Sequence, residues 1–152
     1  MGGKTKLRPG TWIERDLFES RAYLNLKGFA PQLLILIMAK RQFNKIGRKG
    51  KEKHVCINCE SLNFTYSEAE KKYGITKPRL TRAFDELLAK GFLEVRYQGG
   101  GYKQDKSIYA ISNKWSFWGP DTVFEKRVKD PVQRGFRKPK KRGKPVVHVA
   151  FK

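Results

Sequence analysis

The sequence is short of acidic residues, of cysteine and of long apolar runs, and each shortage removes a class of function. Asp and Glu number 14 against 34 Lys and Arg, so the chain carries +20 at neutral pH. A charge of that size calls for a polyanionic partner, of which nucleic acid is the commonest, because a far smaller net charge suffices for solubility alone. Two cysteines do not make a disulfide framework and lead us to expect a reduced pair in a reducing, cytosolic compartment. The longest apolar run, residues 33–39, is far below the roughly 18 residues of a membrane span and belongs in a core. The opening Met1-Gly2-Gly3-Lys4-Thr5-Lys6 lacks the Ser or Thr of a myristoylation signal at its sixth position and the apolar stretch of a secretory one, so no membrane partner is expected.

Catalytic signals are also missing. There is no glycine-rich phosphate loop, no Ser-His-Asp set and no carboxylate cluster in a recognisable motif, so no catalytic residue and no cofactor is expected. Cys56-Ile57-Asn58-Cys59 beside His54 has the local spacing of half a zinc site. A closed tetrahedral site needs four ligands, and the only other histidine is the distant His148, so a plain strand and turn without metal is the favoured reading.

What is present is enough for one domain. A chain of 152 residues with 39% apolar content can bury a single core. We divide it into an N-terminal arm, partly helical, at residues 1–19, a folded domain at 20–119 and a basic tail at 120–152. Charge is concentrated at the end, since residues 126–152 hold 11 Lys and Arg and the single acid Asp130, which makes +10 of the total. With Pro131, Pro139 and Pro145 among lysine and arginine clusters, this segment has too little apolar surface to fold alone and reads as a flexible phosphate-contacting arm. Its candidate contacts are Arg137, Lys138, Lys140, Lys141, Arg142 and Lys144. The run from Pro139 to Lys144 also has the composition of a nuclear import signal, although such runs arise by chance in any basic tail.

Pro31 suits the first turn of a helix expected over residues 32–43, and the Gly- and Lys-rich stretch 44–54 has the composition of a mobile loop. Helical structure is also plausible over residues 13–23. Between Phe64 and Gly91 the signals sharpen. Thr65-Tyr66-Ser67-Glu68 is a capping box flanked by Phe64 and Ala69 at staple positions, and Gly74 ends the helix it starts. Thr76 can cap a second helix, with Pro78 in its first turn and Ile75 stapled to Leu80. Along that helix Leu80, Ala83, Phe84, Leu87 and Leu88 form one apolar stripe that runs to Lys90. Lys77, Arg79, Thr81 and Arg82 are left off the stripe near its N-terminal end, where the dipole favours phosphates.

After Gly91, residues 92–98 and 108–111 alternate with period two, and a glycine-rich turn lies between them. This is a β-hairpin whose tip would carry Lys103 and Lys106. A third strand is expected from residues 55–57 or 61–64. The order of elements predicts an α+β winged helix-turn-helix, a three-helix core plus a β-hairpin wing, with an N-terminal helical extension and a basic C-terminal tail. Two packed helices that bind nothing would explain the stripe, but not the basic first turn or the hairpin that follows it. The aromatics Trp115, Phe117, Trp118 and Phe124 have the makings of a base-stacking platform, yet packing of a terminal segment is the commoner use of such rings.

Tyr66-Ser67-Glu68-Ala69, Tyr73-Gly74-Ile75-Thr76, Phe84-Asp85-Glu86-Leu87 and Lys90-Gly91-Phe92 resemble prokaryotic winged helix-turn-helix DNA-binding proteins. With residues 20–26, the apolar helix after Pro31 and the ending 109–115, the likeness covers residues 18–119. It extends to replication-initiator-like and regulatory proteins of phages, plasmids and integrated elements. The resemblance implies that Thr76, Lys77, Arg79, Thr81 and Arg82 read the major groove; the long tail and the CxxC depart from it. The expected partner is double-stranded DNA in the cytoplasm, at the nucleoid, bound sequence-specifically to act on transcription or replication. Arg79 and Arg82 are suited to guanine, and Lys103, Lys106 and the tail to phosphate. RNA binding or ribosome association, non-specific architectural coating of DNA, and assembly as a homodimer are the alternatives and additions that the sequence leaves open.

Overall fold

The computed structural model describes residues 10–99 and 105–128. Its described part is α+β, with helices α1 (Arg15–Phe18), α2 (Arg21–Leu24), α3 (Ala30–Met38), α4 (Tyr66–Tyr73) and α5 (Lys77–Ala89). Two separate antiparallel hairpins accompany them, β1 (Phe43–Ile46) with β2 (Lys53–Cys56), and β3 (Leu93–Tyr97) with β4 (Ile108–Ile111). A 3-10 turn, η1 (Lys114–Phe117), follows β4. No helix among the described residues is long and apolar enough to cross a membrane.

The core forms where α5 packs on α3 and α4. The stripe of Leu80, Ala83, Phe84, Leu87 and Leu88 is buried along its whole length, against Leu33, Leu34 and Ile37 of α3 in the same apolar cluster. Truncating one of these leucines to Ala would cost about 2–5 kcal/mol in lost transfer energy and cavity. Phe84 stacks on Tyr109 of β4 with ring centroids 4.5 Å apart, and Phe92 stacks on Trp115 at 6.1 Å, so the β3–β4 hairpin and η1 close the core from the other side.

Several expectations are corrected. The helix expected over residues 32–43 stops at Met38, because the Asn58 side chain accepts from the Gln42 N–H at 2.7 Å and donates to the Lys40 carbonyl at 2.9 Å, turning the chain out of the helix. The expected loop at 44–54 is a β-ribbon, with Phe43 opposite Cys56 and Ile46 opposite Lys53. Residues 55–57 therefore pair with β1 rather than with the second hairpin. Leu62 takes the third-strand position, reduced to one bridge in which its N–H and carbonyl exchange bonds with those of Tyr109 at 2.9 and 2.7 Å. The N-terminal helix is split into α1 and α2 by Ser20, whose hydroxyl donates to the Leu17 carbonyl and accepts from the Tyr23 N–H.

The cysteines, expected reduced, are joined to each other. Cys56 closes β2 and Cys59 follows the Asn58 turn, which brings their Cα atoms to 5.8 Å, inside the range that a disulfide spans. No group of three or more His, Cys, Asp or Glu side chains suited to a metal occurs among the described residues.

Candidate nucleic-acid interface

Local chemistry fixes the angle between α4 and α5. The Thr65 hydroxyl accepts from the Glu68 N–H at 3.1 Å and starts α4. The Glu68 carboxylate does not reach back to complete the box; it pairs instead with Lys40, whose ammonium also donates to the Asn63 carbonyl. Gly74 ends the helix at φ 64°, a left-handed conformation that costs glycine nothing, and Ile75 then turns into the core. Thr76 stands at the start of α5 in extended conformation, but its hydroxyl makes no capping bond, so the first-turn donors of α5 are not satisfied by that side chain.

The side chains singled out on α5 divide by environment. Thr76, Lys77, Arg79 and Arg82 are exposed, and Thr81 is half-buried with its hydroxyl 3.1 Å from that of Tyr66 on α4. Arg79 lies over the Phe29 ring, 5.3 Å from its centroid, which restricts the guanidinium to the side of α5 that faces the loop before α3. Arg82 donates from Nε to the Pro78 carbonyl of its own helix at 3.3 Å and points outward.

The two carboxylates of α5 are each paired, one within the helix end and one from the C-terminal segment. Glu86 pairs with Lys90, a buried ammonium that also donates to the Asn25 carbonyl and lies 5.3 Å from the centre of the Trp118 ring. Asp85 pairs with Arg127. Neither acid is left to neutralise Lys77, Arg79 or Arg82, and no ion pair engages these three among the described residues.

Nothing in the sequence singles out Arg127. It belongs to residues 119–128, which run back over the domain: the Phe124 N–H bonds the Ala89 carbonyl at 3.0 Å, and the Glu125 carboxylate accepts from the Val95 N–H at 3.3 Å. The Gln98 amide then donates to the Val128 carbonyl at 2.6 Å, so this segment passes the root of the β3–β4 hairpin. Burial disfavours the Arg127 charge, but the Tyr66 hydroxyl at 3.2 Å and the Asp85 carboxylate outweigh it and hold the guanidinium above its ordinary pKa.

Two grooves meet at this residue. The first, of about 890 Å³, lies along the outward face of α5 and is lined by Lys27, Phe29, Arg79, Arg82, Lys126 and Arg127. The second, of about 700 Å³, lies between the start of α4 and the root of the β3–β4 hairpin, with Thr65, Tyr66, Gln98, Lys106 and Arg127 among its walls. Cations from α5, from the hairpin and from the C-terminal segment thus border one connected surface. Gly99 permits the narrow hairpin root, since a Cβ there would lie 2.5 Å from the Lys106 carbonyl carbon.

Lys106 is exposed at the edge of the loop. Lys103 and the tail cations Arg137, Lys138, Lys140, Lys141, Arg142 and Lys144 lie outside the described residues. The aromatic group expected either to stack on bases or to pack does mostly the latter. Trp115 is buried on Phe92 and Trp118 lies against Lys90, while Phe117 is 83% exposed. Comparison with known protein families, with curated proteins and with solved structures finds no match to this chain.

Proposed function

We propose that the chain is a sequence-specific binder of duplex DNA rather than an enzyme, built as a winged helix-turn-helix. In this reading α4 and α5 are the two helices of the motif, α5 enters the major groove by its N-terminal half, and the β3–β4 hairpin is the wing. The observation that carries the reading is the charge arrangement on α5. Its two acids are engaged by Lys90 and Arg127, while Lys77, Arg79 and Arg82 stand exposed in its first half, off the buried stripe and without an ion-pair partner among the described residues. A major groove accepts a helix presented this way, and guanidinium groups suit the acceptor pair of guanine. Lys106 and Lys126, flanking the same surface, suit phosphates, which position without specifying.

By resemblance, the role is that of a transcriptional regulator or replication-initiator-like protein of a mobile element, acting at the nucleoid. Selection of bound fragments from random duplex DNA, with structured RNA as competitor, tests it. One enriched motif is the expected result, and a palindrome would mark a homodimer. Tight binding to the RNA competitor with no affinity for duplex at low salt would refute the reading.

A further inference from the structure

The β1–β2 ribbon buries almost nothing. Every residue of β1 is exposed, as are Lys53, His54 and Val55 of β2, and Ile46 and Val55 show 58% and 44% of their surface. A lone two-stranded ribbon is marginal in water, so its folding is not explained by its own contacts. The chain nevertheless secures its root in three ways. Asn58 clamps Lys40 and Gln42, the Ile57 N–H bonds the Gln42 carbonyl at 2.9 Å, and the Cys56–Cys59 link closes the turn beneath β2. The tip turns on Gly47 at φ 124° and Gly50 at φ 87°.

Its charge is one-sided. Residues 45–53 hold Lys45, Arg48, Lys49, Lys51 and Lys53 against Glu52, five positive and one negative. Lys45 takes the acid at 3.7 Å, which leaves four exposed cations around the tip. The root lies beside Cys59, whose carbonyl accepts from the Ile111 N–H, at the end of β4 away from the loop that enters at Ile108. The ribbon is thus rooted apart from the β3–β4 tip.

We propose that this ribbon is a second contact with duplex DNA, with Arg48, Lys49 and Lys51 lying against backbone phosphates at a place separate from α5 and the wing. The proposal rests on the duplex-DNA reading above. Four cations without an acid among the described residues, on a rigidly rooted and unburied ribbon, complement a polyanion, and the ribbon's form is one that DNA grooves accept.

The test compares the full-length protein with its R48Q/K49Q/K51Q variant on duplex DNA across a range of salt concentrations. Because these side chains support no core, thermal unfolding should be unchanged. The slope of log affinity against log salt should flatten by up to about 3, near 0.9 for each phosphate no longer neutralised, while the preferred motif persists. A hydroxyl-radical footprint should lose one protected backbone segment and keep the rest. If the parent protein binds duplex and the variant shows the same slope and footprint, the ribbon does not touch DNA and the proposal fails alone. An unchanged slope with weakened self-association would assign the ribbon to contact between copies and overturn it likewise. If the parent protein binds no duplex at all, the DNA reading falls first and this proposal with it.

Discussion

Arg127 faces Asp85 across 42 positions of sequence, with Nε 3.2 Å from Oδ1 and a second contact from Nη2 to Oδ2 at 3.4 Å. The pair is partly exposed, at 21% and 47% of side-chain surface, so its direct contribution to stability is of order 0–1 kcal/mol. Its larger effect is on the charge of α5. Arg127→Ala should leave a bare carboxylate on the face proposed to meet DNA, and duplex affinity should fall by more than the loss of one cation explains. Asp85→Ala in that background should recover part of the loss. A titration of the two single variants and the double variant decides it, and strictly additive effects would deny the coupling.

Arg82→Ala should spare the fold, because among the described residues that side chain bonds only its own helix, and should cost about 1–3 kcal/mol at the preferred site if it grips a guanine. Arg79→Ala differs. Its guanidinium sits over Phe29, so a further loss of about 0.5–1 kcal/mol in thermodynamic stability is expected with any loss of specificity. Denaturant melts beside binding to preferred and scrambled sites separate the two effects, and equal melts for both variants would show that the Phe29 contact contributes nothing.

Much of the α4–α5 unit is legible in the sequence because it is local: the Thr65 cap, the Gly74 stop and the Leu80 to Leu88 stripe each act within a few residues. What is not legible acts at a distance. Nothing in residues 39–43 breaks a helix; Asn58 does so from 16 to 18 positions downstream. The β1–β2 ribbon is exposed on both faces and so lacks the alternation that marks a half-buried strand, which is why its composition reads as a loop. Arg127 falls in a stretch whose proline and lysine content resembles the tail, and only its contacts with Tyr66 and Asp85 distinguish it.

Gly91 follows α5 at φ 77°, and a Cβ there would come within 2.7 Å of both Lys114 Cβ and Phe124 Cδ2. The left-handed backbone alone costs a non-glycine residue about 1–2 kcal/mol, and the crowding adds to it. Gly91→Ala should therefore lower the melting temperature and loosen residues 119–128 together. Hydrogen exchange at the Phe124 amide, which bonds Ala89, should report that loosening, and a protected amide in a destabilised variant would show that the segment is held by other contacts.

Glu94 joins β3 to the chain beyond β4, and its position predicts how stability varies with acid. Its carboxylate accepts from Lys114 at 3.0 Å and from the Ser112 hydroxyl at 3.1 Å, with Arg96 3.8 Å away. The Lys114 bond lowers its pKa most; burial opposes the shift, and the Ser112 bond and the neighbouring positive charges reinforce the lowering. A carboxyl held below its unfolded value binds protons more weakly in the folded state, so its stabilising contribution is complete above the ordinary glutamate range, about pH 4.3. It fades as pH falls below that range through the depressed value. Glu94→Gln keeps the shape and removes the titration, so the variant should be less stable than the parent at neutral pH, and the gap should narrow as the solution is acidified toward pH 3. The measurement is chemical denaturation at successive pH values. A gap that stays constant across the acid range would mean that the contacts of Glu94 with Lys114 and Ser112 carry no net charge-dependent stability.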